Sequence, residues 1–302
     1  MNIKKIVLKH KFLYELFFLI TNKKLRKSRI LKRIEKECFP KHSLQKDFIV
    51  SLTSYGDRIS ELHFTLYSLL CQTILPSRII VWLTENDYEN ISKNQYLNYI
   101  GNSIIDFRIT EDLKSYKKLI PTLKSFPNNI VITVDDDIYY DRYCFERLWN
   151  MHERNPDAVI ANIGKKLKFC SNKLSPYSTW KNISRNELLS GLPIGCGAVL
   201  YPKNNFSSLV ENEELFSKLA PSGDDLWFWI NTLLNKKKIK ILGYKSENLK
   251  YVNIYREYNL TNSETLNSKN VGGNKNDEQV RALLNYFNIS DIQLKNMLDY
   301  EN

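Results

Sequence analysis

From Asp47 onward the chain switches repeatedly between two hydrophobic periods, and that switching restricts the folds open to it more than any other feature. Short runs rich in Val, Ile and Phe occur at DFIVSL (47–52), RIIVWLT (78–84), SIIDFRI (103–109), NIVITV (129–134) and DAVIANI (157–163). Between them lie longer stretches with apolar residues at helical spacing, such as DRISELHFTLYSLLCQ (57–72), KSYKKLIPTLKSF (114–126) and DRYCFERLWNMHERN (141–155). Strand and helix patterns in alternation predict βαβ units, and therefore a doubly wound α/β layer built on a mostly parallel sheet. With 302 residues, 43% of them hydrophobic, the chain can bury a core on both faces of such a sheet.

In open α/β sheets ligands bind outside the carboxyl ends of the strands, so the strand exits are where chemistry is expected. The first exit, TSYGDR (Thr53–Arg58), has a single glycine, which rules out a Gly-x-Gly-x-x-Gly fingerprint or a P-loop there. The fourth exit is the informative one. NNIVITVDDDIYYD (Asn128–Asp141) drives an apolar strand into Asp135, Asp136 and Asp137. On an extended backbone alternate side chains share a face, which predicts Asp135 and Asp137 on one side, roughly 7 Å apart, and Asp136 on the other. Carboxylates this close repel one another, and a divalent cation removes the conflict. Hard oxygen ligands with few protein donors suit Mg²⁺ or Mn²⁺, which keep positions open for water and for substrate phosphate oxygens. A single Asp here would read as a cap for a turn or for the helix expected near Asp141. Three in succession favour the ion.

A second acidic pair lies in APSGDDLWFWINTLL (Ala220–Leu234). Ser222 or Asp224 is placed to cap a helix, with Asp224 and Asp225 in its first turn, where the dipole alone favours carboxylates. Either is equally a candidate general base, shielded from water by Trp227 and Phe228. Just upstream, SGLPIGCGAVLYP (Ser190–Pro202) sets Gly191, Gly195 and Gly197 ahead of an apolar strand, as a close backbone approach to a ligand or a bulge would require. Cys196 has no histidine near it in sequence and reads as a small core residue.

The formal charge of +11 belongs to one segment. Residues 1–46 hold 14 Lys/Arg and only Glu15, Glu35 and Glu37, so the rest of the chain is neutral. Within the segment, FLYELFFLI (Phe12–Ile20) is apolar but far shorter than the roughly 20 residues needed to cross a bilayer. Basic flanks around an apolar patch fit an amphipathic segment lying on an anionic membrane surface, or a helix whose apolar face docks on the domain. Nucleic acid is disfavoured as a partner, because a neutral domain offers no basic stripe to continue a groove. Five scattered cysteines without a Cys-x-x-Cys pair point to a reducing cytoplasm.

Taken in order, IVSLTSYGDRI, LYSLLCQTILPSRIIVWLTE, LKSYKKLIPTLKSFPNNIVITVDDDIYY, GCGAVLYP and APSGDDLWFW resemble bacterial glycosyltransferases of the GT-A fold, close to the family 2 type, over residues 47 to 245. The resemblance implies a GT-A type Rossmann-like sheet and a metal-dependent transfer of one sugar, of the hexosyltransferase class, in surface polysaccharide synthesis (lipopolysaccharide or capsule). In that family an acidic triplet of this kind holds Mn²⁺ or Mg²⁺ against the nucleotide, which falls here on Asp135 and Asp137 with Asp136 between them. The first loop, Thr53, Ser54, Tyr55 and Arg58, would cup the base and ribose of a nucleotide-sugar donor, a UDP-sugar by analogy, and Lys117 would face its diphosphate. Asp225, or else Asp224, resembles the base of inverting members.

The same reading divides the chain into a basic N-terminal segment (1–46) and a transferase domain (47–302), with a nucleotide-sugar half (47–165) and an acceptor half (166–302). The acceptor would be a glycan or a lipid-linked saccharide, and the protein would sit in the cytoplasm or at the inner face of its membrane. No Gln-x-x-Arg-Trp follows the base and no histidine follows His152, two departures from common members. YREYNLTNSETLNSKNVGGNKNDEQ (Tyr255–Gln279) reads as a loop over the site, followed by helices at 277–287 and 290–298. A nucleotidyl or phosphoryl transferase using the same triplet, or a non-catalytic carbohydrate- or membrane-binding protein, are the rival readings.

Overall fold

The computed structural model describes residues 11–20, 25–39, 44–100, 104–184, 190–255 and 274–298. Its centre is a seven-stranded sheet formed by β1 (Ile49–Thr53), β2 (Arg78–Leu83), β3 (Ile105–Ile109), β4 (Val131–Thr133), β5 (Val159–Ala161), β6 (Val199–Tyr201) and β7 (Ile239–Ile241), in the order β7-β5-β6-β4-β1-β2-β3. The pairs β1–β2, β1–β4, β2–β3 and β5–β7 are parallel, as the alternating pattern predicts. Strand β6 alone runs backwards, between β4 and β5.

Period-two alternation assigns the side chains of the inner strands to two separate cores. Ile132, Ile160 and Leu200 point to one layer, with Leu52, Leu66 and Phe145. Val131, Val159 and Val199 point to the other, with Trp227, Ile230 and Leu283. The first layer is covered by helices α3 (Leu62–Leu70), in which every residue is buried, and α4 (Cys144–Arg154). The second is covered by α5 (Asp224–Leu234), α6 (Lys275–Tyr286) and α7 (Asp291–Leu298). Burial on both faces is what lets a parallel sheet consist of continuous apolar runs.

The chain winds outward from β1 to β3 and then crosses back to β4 on the opposite side of β1. The order therefore reverses between β1 and β4, the point at which open α/β sheets leave a crevice beyond their carboxyl ends. Because β6 is antiparallel, Val199 pairs with Thr133 at that same edge, so the turn Gly195–Gly197 preceding β6 arrives beside the residues leaving β4. An exit loop and an entry loop share one rim.

The basic N-terminal region forms α1 (Lys11–Ile20) and α2 (Lys27–Glu35), with different surroundings. Ile30 and Ile34 of α2 are buried in the first core, and Lys27 is ion-paired with Glu61. Leu44–Gln45 adds a short parallel pairing with Ile74–Leu75. On α1, Phe12 and Ile20 are 75% and 73% exposed, with Leu16 also exposed between them, and Glu15 accepts a hydrogen bond from Tyr255. Among the described residues no helix is long and apolar enough to cross a membrane. The flanks at 1–10 and 21–24, and most of the stretch expected as a loop over the site, lie outside the described residues.

Candidate active site

A cleft of about 1430 Å³ opens at the switch point, bounded by the exits of β1 to β4, the turn before β6 and the start of α5. Of the expected site residues, Thr53, Tyr55, Arg58, Lys117, Asp135, Asp136, Asp137, Asp224 and Asp225 line it. Ser54 is buried just behind, held to Asp136.

The triplet departs from the expected strand geometry. Strand β4 stops at Thr133, so Asp135–Asp137 form a turn and the alternation rule does not govern them. The turn is pinned by its backbone: Asp135 N–H donates to Tyr140 Oη at 2.8 Å, and Thr65 Oγ1 donates to the Asp136 carbonyl at 2.7 Å. Asp136 and Asp137 then share one cation, with Arg58 Nη1 lying 2.6 Å from Asp136 Oδ1 and 3.2 Å from Asp137 Oδ2. Ser54 Oγ donates to the other Asp136 oxygen at 2.6 Å. Burial pushes the Asp136 carboxyl above its ordinary value, against the pull of Arg58 and Ser54. Asp135 turns instead to Lys118 Nζ, 3.2 Å away.

Sequence reasoning singled out Lys117 and missed Lys118. Residues 114–118 form a 3-10 turn rather than the start of an α-helix, and the two lysines diverge. Lys117 lines the cleft, but its buried side chain ends on Asp112 Oδ1 at 2.8 Å. Lys118 reaches across the crevice, placing its Nζ 2.9 Å from Asp224 Oδ2 as well as near Asp135. Burial works against this ammonium, yet Asp135, Asp224 and Asp225 together outweigh it and hold its pKa well above the ordinary value.

The acidic pair occupies the first turn of α5 as expected, but neither Ser222 nor Asp224 caps the helix. The capping position is Gly223, with no side-chain bond to the exposed amides. Asp225 Oδ2 accepts the Gly195 N–H at 3.0 Å. A Cβ on Gly195 would lie 2.7 Å from Asp225 Oδ1 and 2.8 Å from Lys118 Nζ, so the close backbone approach inferred for this glycine is made by two charged side chains. Burial, and then the Asp224 charge, raise the Asp225 carboxyl to about 7, despite Lys118 and the Gly195 amide. Cys196 lines the same cleft with its thiol held well above the ordinary value, first by burial and then by Asp135, which makes it a poor nucleophile.

The opposite wall comes from the β1 loop. Gly56, at φ 51°, donates its N–H to Asp87 Oδ1 at 2.8 Å, joining the β1 loop to the residues that follow β2. Tyr55 is 52% exposed, with the Arg58 guanidinium 5.1 Å above its ring. An exposed aromatic face at the cleft rim offers a stacking surface to a planar ligand.

Among the described residues no group of three or more His, Cys, Asp or Glu could hold a metal ion alone. All three carboxylates line the cleft and each meets a cation, but Asp135 and Asp137 are the more exposed, while Asp136 is buried against Ser54 and Arg58. That donor set fits an ion of the Mg²⁺ or Mn²⁺ kind, which takes one or two carboxylates and completes its shell with water and substrate phosphate.

No family model and no curated protein matches the chain. Among solved structures, 4-diphosphocytidyl-2C-methyl-D-erythritol synthase from Anaerococcus prevotii is similar at 15% identity, over 72% of this chain and 95% of that one, with a TM-score of 0.45. Residues 1–349 of S. aureus TarS are similar at 16% identity, over 80% of this chain and 71% of that one, with a TM-score of 0.44.

Proposed function

We propose that the protein is a metal-dependent glycosyltransferase of GT-A type that moves one sugar from a nucleotide-sugar to a glycan or lipid-linked hydroxyl, with inversion. The observation that carries this reading is Asp225, a half-buried carboxylate raised to about 7, facing an acidic triplet across a single cleft. The cleft exceeds the roughly 300–1,000 Å³ of a one-ligand pocket, so donor and acceptor fit together.

Asp135 and Asp137 would hold the ion, which when bound offsets charge on the donor diphosphate. Tyr55 would stack on the base, and Arg58 keeps Asp136 and Asp137 in place. Gly195 fixes Asp225 by Oδ2, leaving Oδ1 to take the proton of the acceptor hydroxyl. As that proton moves to Asp225, the hydroxyl oxygen bonds to the anomeric carbon and the bond to the nucleoside diphosphate breaks. UDP as the nucleotide, and lipopolysaccharide or capsule as the destination, belong to the same reading.

Melting the purified protein against a panel of nucleotide-sugars, with and without Mn²⁺, tests it. A metal-dependent rise in Tm is expected for at least one of them and is lost in Asp137→Ala. No shift across the panel would overturn the proposal. Nucleotide release that needs no acceptor and survives Asp225→Asn would favour a nucleotidyl transferase instead.

A further inference from the structure

The Lys118 ammonium stands between two parts of the chain that meet only in the folded protein. It lies 3.2 Å from Asp135, at the exit of β4, and 2.9 Å from Asp224, at the start of α5. Its side chain is 9% exposed, so water contributes little to its balance. Asp225, one residue further on, lies near the same ammonium but is held by the Gly195 amide. The bare Cα of Gly195 is what lets the Asp225 carboxylate and the Lys118 ammonium converge on the same floor.

We propose that Lys118 is a positioning residue that ties α5 to the acidic triplet through Asp224 and Asp135, and so assigns Asp224 to anchoring and Asp225 to accepting the proton. This rests on the glycosyltransferase reading and sharpens it, because adjacent carboxylates in one helical turn are otherwise equivalent candidates. The two acids differ in their partners: Asp224 has a fixed cation, Asp225 a backbone amide on one oxygen only. Asp224 presents its Oδ2 to the buried ammonium at 2.9 Å, whereas Gly195 holds Asp225 by Oδ2 and leaves Oδ1 to an acceptor hydroxyl. The same ammonium sets the distance from base to donor site, and small misplacements there cost rate heavily.

Three variants decide it. In Lys118→Met, kcat for transfer falls about a hundredfold while the KM for the nucleotide-sugar changes by less than about threefold. The acid limb of the pH–rate profile moves up by about one unit, because Asp225 loses a neighbouring cation. Lys118→Arg keeps the charge and recovers about tenfold of the loss. Asp224→Asn costs about tenfold in kcat, against about 10³-fold for Asp225→Asn. In the ligand-free protein, melting of Lys118→Met, Asp224→Asn and the double variant shows strongly non-additive losses.

A raised KM for the nucleotide-sugar with an unmoved acid limb would overturn the proposal, placing the ammonium on the donor phosphates. Asp224→Asn abolishing transfer while Asp225→Asn spares it would overturn it equally, as would additive melting losses. Should Lys118→Met fail to fold, Lys118→Arg and the two Asn variants still separate these outcomes. Failure of the glycosyltransferase reading itself shows separately, as wild-type protein without any nucleotide-sugar-dependent rise in Tm, whereas the ligand-free coupling of Lys118 and Asp224 is measured regardless.

Discussion

Gly195 and Asp225 approach so closely that no side chain fits between them: the glycine amide donates to Oδ2 at 3.0 Å, and a Cβ would lie 2.7 Å from Oδ1. Gly195→Ala must therefore push Asp225 or Lys118 aside. The variant should retain its fold, with stability lowered by about 1–3 kcal/mol for overpacking, and lose transfer activity about a hundredfold. Denaturant titration and steady-state kinetics on one preparation check both parts. A fully active Gly195→Ala protein would show that this approach plays no part in the chemistry.

Asp225 titrates near neutrality, so activity should depend steeply on pH. On the proposed mechanism deprotonated Asp225 is the working form, and kcat/KM should rise about tenfold per unit on the acid side of about pH 7 and level off above it. The stability effect has the opposite sign. A carboxyl raised in the folded state stabilises the fold fully below its unfolded value, and that contribution is lost as pH climbs through about 7. Asp225→Asn should flatten the pH dependence of Tm over this window while reducing kcat about 10³-fold.

Arg58 neutralises two carboxylates, and the Asp136 side chain is only 4% exposed. Removing the cation leaves a buried charge uncompensated, at a cost of about 3–5 kcal/mol. Arg58→Met should be destabilised by that order in urea titrations. Arg58→Met/Asp136→Asn should recover much of it, because the desolvated charge is gone along with its partner. Equal losses in the single and double variants would refute the pairing.

The N-terminal helices separate two readings that charge alone left open. Helix α2 docks through Ile30 and Ile34, whereas α1 presents Phe12, Leu16 and Ile20 outward on one face within a strongly basic segment. If that face meets an anionic bilayer, the protein should sediment with vesicles containing phosphatidylglycerol and be released by high salt. Phe12→Ser/Leu16→Ser/Ile20→Ser should weaken binding at least about tenfold, since each large apolar side chain contributes about 1.5–3 kcal/mol when buried. Identical sedimentation of the triple variant would rule out this face.

The strands and helices were legible because burial on both sheet faces leaves continuous Val/Ile runs, and because α3 and α5 keep helical spacing. The two acidic segments were legible singly, one at a strand exit and one in a helix's first turn, and only the resemblance put them in one site. What escaped depends on long-range pairing. The reversal of β6 and the resulting placement of Gly195 follow from hydrogen bonds to β4 and β5, to which local sequence is blind. Lys118 was missed because a 3-10 turn aims residues 117 and 118 differently from an α-helix. The triplet was misdrawn because β4 ends one residue after Ile132, before the aspartates begin. Ile30 and Ile34, four residues apart, serve a lipid surface and a protein core equally well in sequence, and only packing distinguished them.

The backward course of β6 divides the molecule into unequal halves for evolutionary change. Lengthening the chain ahead of Val199 would intrude on the reacting groups, whereas lengthening it after Tyr201 would extend the far side of the sheet, away from them. Insertions and fused modules should be tolerated at that remote rim far better than in the Gly195 turn.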